Sequence, residues 1–399
     1  CALLGAVAAV ARAACPSVTA CEQRYVPCNT SLPALDPDFD DDDDSYDDND
    51  DGAGLCLVVN CSGRAAQLQG EIPCDLPNNT WALLLADIGM TGNFSFQTLL
   101  ERAPFMFKFD ANTSTFVVDL HANALTGIQV PPAFWWGGQE LFASLDLSSN
   151  SITSIMPSAF QSATIGGYLD LSGNSITSIP QYAFAGASIL GNLNLSGNKI
   201  THIQQTALSN LNGHSLDLSG NSITTLQKFT FQSTSFGGNL DLSGNGIMSI
   251  QTFAFQGAAI DNNLGLSGNN ITSIQTFAFQ AANIGNLDLS GNNITSIPQY
   301  AFSGAIIGRL DLSGLNIKSI QQLAFQGATI GNNLDLSGNN ITSIPSYAFE
   351  SANIGNNLDL SGNSITSIQQ NAFSFINIGL TLDLSGNFIS SIVGGANNG

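Results

Sequence analysis

Basic residues are scarce. Nine Lys and Arg stand against thirty Asp and Glu in 399 residues, a net charge of −21. Phosphate binding needs a Lys/Arg footprint, so this balance argues against a nucleic-acid partner and for cations or basic proteins. Histidine is scarcer still. His121, His202 and His214 lie far apart in the chain and form no His–Cys–carboxylate group. No phosphate-cradling glycine loop exists either, so the expectation is a non-enzyme without a cofactor. No apolar run reaches the roughly 18 residues that a membrane span needs, so membrane attachment requires sequence beyond residue 399. Cysteine is missing from everything after Cys74.

The seven cysteines therefore all precede residue 75. Ala2 to Ala14 is small and apolar and ends in Ala11-Arg12-Ala13, like the end of a signal peptide at its cleavage site. With no initiator Met and no basic n-region, the chain reads as beginning inside that signal. Removing it takes Cys1 away and leaves Cys15, Cys21, Cys28, Cys56, Cys61 and Cys74. An even count fits three disulfides in an oxidising compartment. The plainer alternative is a flexible Ala-rich N-terminus. Sequons for N-glycosylation at Asn29, Asn60, Asn78, Asn93, Asn112, Asn194, Asn270, Asn293 and Asn340 agree with secretion or a cell-surface location. In an Asn-rich chain, several would also arise by chance.

What is abundant is repetition. The motif Leu-x-Leu-Ser-Gly-Asn, or a close variant, starts at Leu145, Leu169, Leu193, Leu216, Leu240, Leu264, Leu287, Leu310, Leu334, Leu358 and Leu382, at steps of 23 or 24 residues. A fixed period of that size means a solenoid, one elongated body whose core grows with each unit. Residues 1–14 are the signal remnant and 15–80 a cysteine-rich cap, interrupted by an acidic insert at 35–52. Residues 81–144 hold degenerate leading repeats, including Val118-Asp119-Leu120-His121-Ala122-Asn123. Residues 145–393 are eleven regular repeats, and 394–399 a Gly/Asn tail.

Within one unit, Leu287 and Leu289 alternate with Asp288 and Ser290, the period-two mark of a half-buried strand. Asn292 ends it; Ile294, Ile297 and Ala301-Phe302 follow. One short strand, a turn and an irregular or 3₁₀ return fit in such a unit, whereas a crossover helix does not fit easily. Consecutive strands then pair in parallel.

The unit resembles the extracellular leucine-rich repeat, LxxLxLxxNxLxxLPxxxFxxLxx, in register over roughly residues 81–393. The preceding segment is similar to the cysteine-rich N-terminal cap of Slit-like, Toll-like and variable-lymphocyte-receptor-like proteins: Cys15-Pro16, Cys61-Ser62-Gly63, then Ile72-Pro73-Cys74-Asp75-Leu76-Pro77. The resemblance implies an α/β-type leucine-rich-repeat solenoid, a horseshoe with a parallel β-sheet on its concave face and irregular or 3₁₀ segments on its convex face. It also implies a recognition role. Two departures keep the disulfide pairing open: Cys74 interrupts the Ile-Pro run, and acidic sequence separates Cys28 from Cys56. Six cysteines allow fifteen connectivities.

Three columns run through the array. Asn150, Asn174, Asn198, Asn221, Asn245, Asn269, Asn292, Asn339, Asn363 and Asn387 follow the strands where buried backbone needs partners, and the resemblance implies a continuous hydrogen-bonded ladder. Leu315 breaks it with Asn316 one step late, which predicts a local gap or a one-residue shift. Phe160, Phe184, Phe231, Phe255, Phe279, Phe302, Phe325, Phe349 and Phe373 read as a stacked core spine. Between the strand leucines stand Asp146, Asp170, Asp217, Asp241, Asp288, Asp311, Asp335, Asp359 and Asp383, with Asn194 and Gly265 as exceptions.

That aspartate row is the candidate ligand-binding surface. At about 4.8 Å between stacked strands, like charges repel by about 1 kcal/mol in water. The row is expected to attract cations or a basic ligand, or to raise its own pKa values; the plain reading is that it solvates the sheet. Arg309 is the obvious internal counter-charge. The leading expectation is a secreted or cell-surface module binding a protein or glycan. The alternative is a structural or matrix protein whose Asp/Ser/Asn rows bind Ca²⁺ or a repetitive surface, a reading to which the Thr column at Thr177, Thr201, Thr224, Thr272, Thr295, Thr342 and Thr366 adds an ice- or crystal-binding variant. In the insert, eleven Asp in the sixteen residues from Asp36 to Asp51 read as a disordered loop, and Tyr46 among them as a sulfation candidate.

Overall fold

A computed structural model describes residues 22–27, 55–60, 80–84, 91–95, 117–129 and 144–393. The signal segment, the acidic insert with Tyr46, the cysteines Cys15, Cys21, Cys28, Cys61 and Cys74, and the sequons Asn29, Asn78 and Asn112 lie outside the described residues. Cys56, Asn60 and Asn93 are placed by their strand backbone alone.

Each coil begins with the strand that the leucines predict. Leu216 and Leu218 are buried, and Asp217 between them is half-buried on the opposite face. Strands of successive coils pair in parallel, Leu on Leu and Asp on Asp, from Leu145↔Leu169 to Leu358↔Leu382. The 23-residue steps do not disturb this register: Leu287 faces Leu310 and Asp288 faces Asp311. At the N-terminal side, Glu22–Pro27 runs antiparallel to Leu55–Asn60, and the sheet continues in parallel through Thr80–Leu84 and Val117–Asp119 to Ser144–Asp146. Asp119 pairs with Asp146, so the backbone position of the aspartate row extends one coil earlier than the regular array.

The return path differs from the expectation of one strand per coil. The Ser-Ile pair after the asparagine turn forms a ladder of its own, as in Ser249–Ile250 between Thr225–Leu226 and Ser273–Ile274. Among the described residues no helix occurs. The far side is instead a run of turns whose amides bond from one coil to the next, for example Phe255 N–H to Ala278 C=O at 2.9 Å. Each coil is thus joined to its neighbours by backbone bonds on every side.

Leu, Ile, Ala and Phe fill the interior. Phe231, Phe255, Phe279, Phe302, Phe325, Phe349 and Phe373 form an unbroken stack with ring centroids 5.1–5.6 Å apart. That spacing is close to the roughly 4.8 Å between paired strands, so the ring column keeps step with the sheet. A second stack was not foreseen. Phe229, Phe253, Phe277 and Tyr300 lie half-buried on the turn side at 4.9–5.6 Å. Their φ angles of 58–63° are left-handed, a conformation costing of order 1 kcal/mol or more for such residues. Ring stacking and the coil-to-coil bonds offset it.

The asparagine ladder is continuous up to Leu315. Asn245 Nδ2 donates to Leu218 C=O at 3.0 Å in the preceding coil and to Leu242 C=O at 3.1 Å in its own, while its Oδ1 accepts from Ile223 N–H at 3.0 Å. The same three bonds recur from Asn150 to Asn292 and again at Asn339, Asn363 and Asn387. Leu315 occupies the asparagine place, 3% exposed, and a hydrocarbon cannot accept from the Ile294 amide. The outcome is a gap without a shift. Asn316 stays outside, at φ 66°, and donates to Asn293 Oδ1. The last described coil presents Phe375, Leu380, Phe388 and Ile392 to solvent, the apolar edge that the repeat pattern implies.

Replacing Asn245 by Ala takes the partner from the Ile223 amide and removes one of the two ladder bonds that each of the Leu218 and Leu242 carbonyls accepts. A loss of about 2–4 kcal/mol is expected, read in a denaturant melt and as faster hydrogen exchange at the Ile223 amide.

Candidate functional site

The aspartate row stands where each strand ends and the chain turns inward. In all nine units the aspartate Oδ1 accepts the backbone N–H of the serine two residues on, at 2.8–3.0 Å. This side-chain-to-backbone bond holds the turn. The glycine that follows the serine then takes a left-handed φ, 63° at Gly244, which brings Asn245 under the sheet. The recurrence of Asp-Ser-Gly therefore has a local cause in backbone geometry.

Asn194 separates the turn from the charge. Its Oδ1 accepts the Ser196 N–H at 3.1 Å in the same geometry, with no charge, and its Nδ2 donates to Asp170 Oδ2 at 3.2 Å. An amide thus suffices for the turn. The carboxylates add a half-buried negative row that the turn does not require. At Asp311 the Arg309 guanidinium lies 3.7 Å away, a surface pair of little energetic weight.

The row lines an open trough of about 880 Å³ that runs over the coils from Asp146 to Asp288. Its second wall is a column of amides. Asn286 Nδ2 donates to Asn263 Oδ1 at 2.9 Å, and Asn263 Nδ2 to Asn239 Oδ1 at 3.3 Å. Tyr168, 39% exposed, stands at one end. Gly265 leaves a notch between Asp241 and Asp288; a Cβ there would come within 3.2 Å of Asp241 Oδ1. Asp146, Asp170, Asp217, Asp241 and Asp288 share this trough, whereas Asp311 and Asp335 line smaller depressions beside Arg309. Asp359 and Asp383 continue the row beyond them.

Like-charge crowding was expected to raise carboxylate pKa values. Asp383 moves the other way: the Ser385 amide, and then the Ser385 hydroxyl, hold its carboxyl below the usual range. The charged form is favoured in the folded chain. This contribution is present above the ordinary carboxylate pKa of about 3.9 and is lost as pH falls through the lowered folded value.

Among the described residues no group of three or more His, Cys, Asp or Glu is placed to hold a metal ion, and no helix is long and apolar enough to cross a membrane. The Thr column stands on another side of the coil, exposed, with hydroxyls such as that of Thr201 turned to the carbonyl of the preceding coil. The amide column was not recognised in advance as a wall of the trough. Asn239, Asn263 and Asn286 precede their strand leucines at the same spacing as the aspartates, a signal present in the sequence.

Comparison with known proteins agrees with this architecture. Residues 249–379 match the BspA type leucine rich repeat region in six copies, residues 167–223 a leucine rich repeat family and residues 143–163 another. The chain is a leucine-rich-repeat protein, with matched repeats over about half of its length. No curated protein sequence matches it. Among solved structures it is similar to YopM from Yersinia enterocolitica, at 16% identity and a TM-score of 0.37 over 84% of this chain and 61% of that one. It is also similar to TLR13 in its complex with ssRNA13, at 18% identity and 0.38 over 80% and 48%. A third is the leucine-rich repeat domain of APL1B, at 16% and 0.39 over 75% and 76%. The chain thus spans 61% and 48% of the length of the first two.

Two substitutions at one site separate turn from charge. Asp217→Asn is expected to leave the melting temperature unchanged, as Asn194 already holds this turn. Asp217→Ala is expected to cost about 1 kcal/mol through the lost bond to Ser219. Equal melts for the two variants would show that the carboxylate oxygen does not support the turn.

Proposed function

We propose that this chain is a recognition module, secreted or displayed at a cell surface, that binds a basic protein segment or a glycan in the trough from Asp146 to Asp288. The observation that carries this reading is the surplus of charge. The turn is served by a neutral amide at Asn194 and forms at Gly265 with no side chain, yet nine units supply a carboxylate, and five of them line one open groove with a wall of amides. Carboxylates attract ammonium and guanidinium groups, and the amides offer donors and acceptors to a peptide backbone or to sugar hydroxyls. The repeat family is compatible with protein binding. The cysteine-rich N-terminal segment and the sequons support an oxidising, extracellular setting.

Titration with a lysine-rich peptide, and with neutral oligosaccharides in parallel, tests this. The double substitution Asp217→Asn and Asp241→Asn is expected to weaken peptide binding about tenfold, equivalent to about 1.4 kcal/mol, and added salt to weaken it further. Binding by neither ligand class, or binding indifferent to both the substitutions and salt, rejects the trough as the recognition site.

The sameness of the rows supports a second reading, a structural or matrix protein that binds Ca²⁺ or a repetitive surface. Calcium should then raise the melting temperature of the full chain, and an unchanged melt with and without chelator counts against it.

A further inference from the structure

The four sequons whose side chains are described fall on two different sides of the coil. Asn194 projects beside the trough, and both ends of its amide are engaged. Its Oδ1 accepts from the Ser196 N–H at 3.1 Å and from the Ser196 hydroxyl at 2.7 Å, and its Nδ2 donates to Asp170. Asn270, Asn293 and Asn340 stand instead just after the ladder asparagines, exposed, on the side that carries the Thr column. In each the threonine two residues on precedes the Ser-Ile ladder, and the Thr272 and Thr295 hydroxyls donate to carbonyls of the preceding coil. Asn316 Nδ2 holds Asn293 by its carbonyl oxygen, which leaves the nitrogen turned outward.

We infer that Asn270, Asn293 and Asn340 carry N-linked glycans in the folded protein and that Asn194 does not. The inference rests on the proposed passage of the chain through a secretory pathway. The donor is an oligosaccharide on a lipid pyrophosphate. The amide Nδ2 attacks its anomeric carbon, an N–C bond forms as the C–O bond to pyrophosphate breaks, the lipid pyrophosphate leaves, and one amide proton passes to a base of the transferase. At the three exposed sites the asparagine Nδ2 holds no hydrogen bond that the product would break, and Asn293 keeps the bond from Asn316 on its Oδ1. At Asn194 a sugar on Nδ2 displaces the bond to Asp170 and fills the groove between Asp170 and Asp217, whose strands flank it in register. Chains modified there fold less well and are held back.

The consequence is a division of the surface. Asn270 and Asn293 lie on neighbouring coils, whose strands pair Leu264 with Leu287, and Asn340 lies two coils further on. Their glycans screen the Ser/Thr side over the middle of the array. The acidic trough remains the uncovered long face, and a partner is directed to it.

The chain is to be expressed through the secretory pathway of a eukaryotic cell, and the secreted protein treated with N-glycosidase in H₂¹⁸O. Trypsin cuts after Lys228 and Arg309, which places Asn270 and Asn293 on one peptide and Asn194 on another. Heavy-oxygen label is expected at Asn270, Asn293 and Asn340 and absent from Asn194. Full label at Asn194, or none at the three exposed sites in secreted protein, overturns the inference. Thr295→Ala should remove label from Asn293 alone and leave secretion intact, which separates loss of the sequon from loss of folding. Peptide titration of the deglycosylated protein reads the trough independently, so failure of one proposal is distinguishable from failure of the other.

Discussion

Coil-to-coil hydrogen bonding is the constraint on which everything else in this molecule depends. A coil of 23 or 24 residues is too short to pair its own strands, so its amides and carbonyls find partners one coil away. They do so on the sheet side, at the Ser-Ile pair and along the turns. Unpaired buried backbone is costly, and a single coil therefore has no stable existence. The strand register follows from the same requirement, because a one-residue slip within the paired strands would put Leu opposite Asp and turn the core outward. Where a coil is one residue shorter, as at Leu287 to Leu310, the difference is absorbed in the return and the strand register is kept.

The side-chain columns are consequences of that register. Once coils superpose, whatever residue occupies a position meets its own kind, and a residue that bonds well to its own kind is favoured. Asparagine can donate to two carbonyls and accept from one amide, so it forms a ladder. Phenylalanine stacks on phenylalanine. Aspartate is the exception, since it repels its neighbours. Its Oδ1 serves the turn, but Asn194 serves it equally well. Nine carboxylates stand where an amide would do, and the proposed recognition role rests on that surplus of charge.

Most of the regular array was legible in the sequence. Leu216 and Leu218 on one face and Asp217 on the other follow from alternation alone, and the break at Leu315 was located by inspection of one column. The return path was not legible in the same way. Phe229, Phe253 and Phe277 recur at the repeat spacing, yet their stacking depends on a left-handed backbone that side-chain type does not announce. Bulky residues rarely adopt that conformation, and here it is accompanied by ring stacking on the adjoining coils. The Ser-Ile ladder was missed for a related reason: two residues are too short to show a period.

By itself the sequence determined that this chain is a stack of leucine-rich repeats, with its leucines and phenylalanines inside and its aspartates in one outward row. Those properties are periodic, and periodicity survives in one dimension. Tertiary structure alone decided how the outward residues are used. It bound Oδ1 of each aspartate to a serine amide, set the asparagines opposite the aspartates to make a trough, and engaged Asn194 while leaving Asn270, Asn293 and Asn340 exposed. The physical reason is that these outcomes depend on which atoms of successive coils lie within hydrogen-bond reach, and that is fixed only when the coils are stacked.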